Sequence, residues 1–247
     1  MKQNRITKDE ELTSSPTCGK PLVMGSTVFN EDCMSVMARY PDKYFDLAIV
    51  DPPYGIDLAK NGKNSKEWGI SENKGFTFIQ KEYAAKNWDK TIPTKEYFDE
   101  LKRVSKNQII WGANFFAEHI GNMPNYITWY KMGKSKNEKY SDTEFAYLSK
   151  KGVPKMIDIW WNGFGSINSG ENRFHPTQKP VKLYDWICKN YTNEGDIILD
   201  THLGSGSSRI AANKHNLEFV GCEIDAEYYE AQEARFKEFT SQLRLFG

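Results

Sequence analysis

Cysteine is scarce. The 247 residues hold four, Cys18, Cys33, Cys188 and Cys222, and no two of them stand at C-x-x-C spacing. That pattern speaks against a disulfide scaffold and against a structural zinc site, so no metal is expected and a reducing cytoplasm suits the chain. Long apolar runs are missing too, since no stretch approaches the roughly 18 residues that a membrane-spanning helix needs. The first twenty residues, MKQNRITKDEELTSSPTCGK, lack the apolar segment of a signal peptide and read as a flexible polar tail. Net charge is the last absence. The 33 basic and 33 acidic side chains cancel, which excludes an all-over cationic coat but not a basic face.

What is present is enough for one full-sized core: 39% of the residues are hydrophobic. A single domain over residues 21–247 is the expected organisation. Charge is unevenly spread along it. Residues 131–155 carry seven lysines against Glu138, Asp142 and Glu144, and from residue 218 onward seven acids face Arg235, Lys237 and Arg244. Such asymmetry is compatible with a polyanion on one side, or simply with solvated surface charge. Trp129, Tyr130, Tyr140, Tyr147, Trp160 and Trp161 interleave with the lysines as stacking platforms do, although aromatics also fill cores.

Short apolar runs alternate with helical patterns. Strands are predicted at residues 26–29, 46–50, 108–112, 126–130, 144–148, 196–199 and 218–222. Helices are predicted at 32–40, 94–104, 180–191, 207–214 and 226–243, the last with Tyr229, Phe236 and Leu243 on one stripe. The alternation predicts an α/β fold, a mostly parallel twisted sheet with helices on both faces. Two segments break the rhythm: 57–92, rich in Lys, Asn and Gly, and 149–174, rich in Gly, Asn and Trp. Each follows a predicted strand, where open α/β sheets bind their ligands, and loops of such length are commonly functional.

Residues 196–225, DIILDTHLGSGSSRIAANKHNLEFVGCEID, read as strand, glycine turn, helix, strand and terminal acid. Gly204 and Gly206 permit close approach of a ligand. Glu223, 17 residues after Gly206, stands where an acid can take both hydroxyls of a ribose. Arg209 replaces the third glycine of a dinucleotide fingerprint, and no Gly-Lys-Ser/Thr follows. A nucleoside without a tight pyrophosphate site is one reading, and a plain tight turn is the other.

Residues 46–56, DLAIVDPPYGI, run a buried strand into Asp51-Pro52-Pro53-Tyr54. Two prolines stop the strand, because neither can donate to a ladder. The result is a rigid bracket offering a carboxylate, a carbonyl and an aromatic ring. An exocyclic amino group on a nucleobase is a poor nucleophile, its lone pair being delocalised into the ring. Asp51 and the Pro52 carbonyl can accept both amino hydrogens and favour a pyramidal nitrogen, while Tyr54 stacks on the base.

With these motifs the chain resembles the β-class (permuted) S-adenosylmethionine-dependent DNA amino-methyltransferases, in which the catalytic tetrad precedes the cofactor segment. HPTQKPVKL, residues 175–183, matches the family's element before the glycine loop. The resemblance implies that His175, Thr177, Gln178 and Lys179 contact the methionine end of the cofactor. Asn30-Glu31-Asp32-Cys33 resembles the family's G-D-C element, which implies Asp32 and Cys33 beside the adenine. The loop reads Asp200-Thr201-His202-Leu203-Gly204-Ser205-Gly206 where the family has D-P-F-x-G-S-G, so His202 stands in place of an aromatic. By the same resemblance Asp51, Asp200, His202, Leu203 and Gly204 belong to the cofactor site, as do Ser205, Gly206, Ser207, Glu223 and Ile224. Asp51, Pro52, Pro53 and Tyr54 form the catalytic set.

The fold implied is Rossmann-like in permuted order. The function implied is methylation of adenine N6 in double-stranded DNA, with the segments at 57–92 and 149–174 facing the DNA. An aspartate at the head of the tetrad is usual for adenine enzymes, and serine is more typical of cytosine-N4 enzymes. Cytosine N4 is the alternative, followed by an RNA or protein-amide methyltransferase and by a catalytically silent DNA-binding module. The resemblance also leaves room for a homodimer and for a cognate restriction endonuclease as partner.

Overall fold

Strands form where apolar runs have two faces to bury. In the computed structural model, which describes residues 25–56, 89–131, 141–161 and 175–246 with side chains to 242, the run FDLAIV makes β2 (Phe45–Val50), buried everywhere except at Asp46. Leu47 and Ile49 enter one core, Ala48 and Val50 the other. That is the pattern of a central strand in a doubly covered parallel sheet. Its neighbours are β1 (Ser26–Phe29), β3 (Ser105–Trp111), β4 (Tyr126–Tyr130), β5 (Thr143–Leu148), β6 (Lys155–Asp158), β7 (Ile197–Asp200) and β8 (Glu218–Cys222). The sheet order is β1-β8-β7-β2-β3-β5-β4-β6. β5 runs antiparallel to both β3 and β4, and the other pairings are parallel. The C-terminal tips of β1, β8, β7, β2 and β3 therefore share one edge of the sheet.

Helices cover both faces. On α2 (Lys95–Val104), Tyr97, Phe98, Leu101 and Val104 fall on one stripe and pack on the core of Ala48 and Val50. On α4 (Val181–Tyr191), Leu183, Tyr184, Ile187 and Cys188 do the same on the face of Leu47 and Ile49. The remaining helices are α1 (Cys33–Met37), α3 (Ala117–Ile120), α5 (Ser207–Lys214) and α6 (Ala226–Phe246), with a 3-10 turn at Ala113–Phe115.

The predicted α/β class and each predicted strand and helix are present, with some corrections. Helix α1 is shorter than residues 32–40: Asp32 is its N-cap and accepts from the Met34 and Ser35 amides, and past Met37 the chain tightens into turns in which the Arg39 and Tyr40 amides donate to the Val36 and Met37 carbonyls. β3 starts directly after α2. The segment at 149–174 is not loop throughout: β6 lies within it as an edge strand. Only Ile157 of β6 is buried, too little alternation to register as a strand. Short α3 had no signal either. On α6 the inward positions are Tyr228 and Gln232, with Tyr229 and Phe236 half-buried, so the stripe of Tyr229 and Phe236 is not the buried face. The inward face is polar because it grips a loop, as described below. Leu243, residues 1–24, 57–88 and 162–174 lie outside the described side chains, and with them the N-terminal tail and most of the two long segments. No described helix is long and apolar enough to cross a membrane.

Candidate active site

The shared edge of strand tips opens into a cleft of about 500 Å³. One side is the tip of β2. Val50 leads into Asp51, and the bracket is closed by its own side chains: the Tyr54 hydroxyl donates to Asp51 Oδ1 at 2.6 Å. The bracket's backbone is held from outside by Asp89, whose Oδ1 accepts from the amides of Tyr54 (2.9 Å) and Gly55 (3.0 Å). The Tyr54 ring stacks on Phe115 with centroids 5.0 Å apart and planes at 15°. It also lies so close to Gly112, at φ +71°, that a Cβ there would sit 2.2 Å from its Cε1.

Lys179 supplies the other hold on Asp51. Its ammonium donates to Asp51 Oδ2 at 2.6 Å and to the Tyr54 hydroxyl at 3.2 Å. It also lies 3.0 Å from Glu144 Oε2 as an ion pair. Glu144 in turn accepts from Lys131 at 2.6 Å. Burial pushes the Asp51 carboxyl above its ordinary range, and the Lys179 ammonium opposes that shift. Burial also works against the Lys179 charge, but Asp51 and Glu144 outweigh it and raise its pKa. For Glu144 burial acts upward, and Lys179 and Lys131 together bring it down to about 2. Burial and the Asp51 charge keep Tyr54 a phenol, a donor to Asp51.

The opposite side is the glycine loop between β7 and α5. Gly204 (φ +51°) and Gly206 (φ +72°) take left-handed conformations, and Gly206 caps α5. A Cβ on Gly204 would press on the His175 ring at 3.4 Å. Glu223 Oε2 accepts from the Gly204 amide at 2.8 Å and Oε1 from the Asp225 amide at 2.9 Å. Glu223 also lines the cleft, as an acceptor-only carboxylate at its wall. Arg235 on α6 donates to the Ser205 carbonyl at 2.8 Å and to Ser207 Oγ at 2.9 Å, which is why the inner face of α6 is polar. Arg209 turns away from the cleft and binds Ser26, Gln232 and Glu233.

Asp32, Cys33, Asp51, Pro53, His175, Thr177, Gln178, Lys179, His202, Leu203, Gly204, Ser205, Glu223 and Ile224 all line this cleft. Pro52, Tyr54, Asp200, Gly206 and Ser207 do not. Asp200 is buried behind the loop, accepting from the His202 amide and the Ser208 hydroxyl, and burial lifts its pKa to about 7. His202 packs edge-on against Tyr97 at 5.3 Å. Burial lowers its pKa to about 4, so at neutral pH it is an uncharged planar ring. Sequence reasoning missed Thr91, Ile92, Tyr97, Tyr184 and Tyr228 on the cleft wall, and Asp89, Lys131 and Glu144 behind the bracket. Asp89 and Ile92 end a stretch read as DNA-facing, and no local pattern marked them.

Residues 45–234 match the model of a family described as DNA methylases, the N6/N4 methyltransferases. The chain belongs to that family. Among its relatives, a type II methyltransferase from Moraxella bovis, M2.MboI, is 26% identical, with 88% of this chain and 89% of that protein covered. M.BglII, from Bacillus subtilis, is 25% identical over 90% of this chain and 72% of its own length. Solved structures share the fold. The complex of M1.HpyAVI with S-adenosylmethionine superposes with a TM-score of 0.53 at 20% identity, covering 85% of this chain and 98% of that one. The cytosine-N4-specific PvuII DNA methyltransferase gives 0.55 at 14% identity, covering 88% and 91%. Asp51 and Pro53 of the bracket and the glycine loop of this DNA methylase thus meet across one cleft, although Asp51 and Asp200 are 149 positions apart.

Proposed function

We propose that this DNA methylase transfers a methyl group from S-adenosylmethionine to the N6 amino group of an adenine flipped out of double-stranded DNA. The observation that carries the reading is the Asp51-Pro52-Pro53-Tyr54 bracket facing the glycine loop across one cleft. When bound, S-adenosylmethionine supplies an electrophilic methyl group. The chain's own residues fit that group. A buried acid stands at the tip of β8, glycine backbone approaches the cleft without side chains, and uncharged His202 and Tyr97 give aromatic walls. Asp51 accepts an amino hydrogen of the base, and the Pro52 carbonyl takes the other. Tyr54 stacks on the base once its ring is free of Phe115.

Adenine is favoured over cytosine by the aspartate that opens the bracket and by the purine's larger stacking surface on Tyr54. Fold alone cannot choose, since the PvuII enzyme is cytosine-N4-specific. Nucleoside mass spectrometry of DNA from cells expressing the protein should give N6-methyladenine. N4-methylcytosine without N6-methyladenine overturns the adenine assignment. Family likeness extends the reading to one methyltransferase domain over residues 21–247 in the cytoplasm, with DNA contacts from 57–92 and 149–174. It also extends to a homodimer and a cognate restriction endonuclease.

Glu223 is the ribose ligand in this reading. Glu223→Ala should weaken S-adenosylmethionine binding by about 1.5–3 kcal/mol, the scale of hydrogen bonds to a charged group. Calorimetric titration reads this as a loss of about 10- to 150-fold. An unchanged dissociation constant removes Glu223 from the site.

A further inference from the structure

Behind the bracket lie four side chains of alternating charge: Lys131 at the end of β4, Glu144 on β5, Lys179 before α4, and Asp51 at the tip of β2. Their contacts run Lys131 to Glu144 at 2.6 Å, Glu144 to Lys179 at 3.0 Å and Lys179 to Asp51 at 2.6 Å. The Lys179 side chain is 5% exposed and those of the two acids 16% and 22%. We infer that Glu144, anchored by Lys131, is a positioning residue for methyl transfer, setting how strongly the Lys179 ammonium is held by Asp51. The inference rests on the reading of Asp51 as the acceptor of the base's amino hydrogen.

A buried ammonium with a single carboxylate collapses onto it, and that carboxylate becomes a poorer acceptor for anything else. Here two carboxylates divide the ammonium. The rings of Trp111 and Tyr54, 5.4 and 5.7 Å from it, hold it from the sides. The charges of the four groups sum to zero, and the Lys179 ammonium is shared between the two acids and not held by Asp51 alone. Take the charge from Glu144 and the ammonium binds Asp51 more strongly, in competition with the base. Glu144 itself does not line the cleft. Its ion-pair route to Asp51 runs through Lys179, and it should change the chemical step and not binding.

The test is a double-mutant cycle in single-turnover assays with radiolabelled S-adenosylmethionine and duplex DNA. Glu144→Gln should slow methyl transfer about 10- to 100-fold, the range for a small misplacement of a reacting group. Cofactor and DNA dissociation constants should stay within about twofold. In a Lys179→Met background the same substitution should cost less than about twofold, since the route is already cut. A rate for Glu144→Gln within twofold of the parent overturns the inference, and so does a loss that adds in full to that of Lys179→Met. If Glu144→Gln does not fold, Lys131→Met takes its place in the cycle. It should slow transfer in the parent and not in the Lys179→Met background, and a parental rate overturns the inference equally. Asp51→Ala, run alongside, separates the two levels: an active Asp51→Ala refutes the acceptor reading, whereas an inactive one with fully active Glu144→Gln refutes only the role of Glu144.

Discussion

Asp51→Ala should lose methyl transfer by on the order of 10²–10³ or more, the scale seen when one preorganised hydrogen-bonding group is removed from a reaction centre. Three observations set the size. Asp51 is the only charged acceptor in the bracket. Its two oxygens are aimed by the Tyr54 hydroxyl and by Lys179. It lies at the end of a strand that two prolines lock in place, so no neighbour can move in to replace it. The fold should survive, because Lys179 keeps Glu144 as its counter-charge and Tyr54 keeps its stack on Phe115. Cofactor affinity should change little, since Glu223 and the glycine loop are on the far wall. Single-turnover rates and calorimetry give both readings, and retention of a tenth of the parental rate would falsify the assignment.

Gly112→Ala should be nearly as damaging, by a different route. The backbone is at φ +71°, which costs an L-residue about 1–2 kcal/mol. The new Cβ would also meet the Tyr54 ring at 2.2 Å, and overpacking of this kind adds about 1–3 kcal/mol. Tyr54 cannot retreat without breaking its bond to Asp51. Urea unfolding should show a loss of about 2–5 kcal/mol, with turnover falling more than tenfold if the ring yields instead. Parental stability together with parental turnover would mean that Tyr54 moves freely and that the bracket is not rigid.

The residues behind these effects differ in how plainly the chain shows them. Asp51 was legible because a buried strand followed by two prolines is a local pattern with a local cause. The glycine loop and Glu223 were legible for the same reason, all within thirty residues. Glu144 was not. On its strand it alternates with Thr143 and Phe145, like any glutamate on a half-exposed face, and its burial arises only where β4, β5 and the residues before α4 converge. Asp89 was hidden by composition, at the end of a polar stretch that looked solvent-facing. The stripe on α6 misled because apolar periodicity assumes an apolar neighbour, whereas the neighbour here is a glycine loop that needs hydrogen-bond donors. Lys179 was found by its motif, but its ammonium goes to Asp51 and Glu144, a destination that depends on residues far away in sequence.

The seam between β2 and β7 has a consequence for how the molecule is made. The strands meet at Leu47 with Ile198 and Ala48 with Leu199, and Asp46 Oδ2 accepts from the Ile197 amide at 3.0 Å across 151 residues of sequence. On the ribosome, Phe45–Val50 emerges long before the strand that will lie beside it. Until then the most apolar strand of the sheet has one open edge, the kind that recruits strands of other chains. The cleft does not exist without that late pairing: a chain released before residue 200 carries the bracket with no opposite wall. Yield of native protein should therefore depend on how the nascent chain is shielded during that interval.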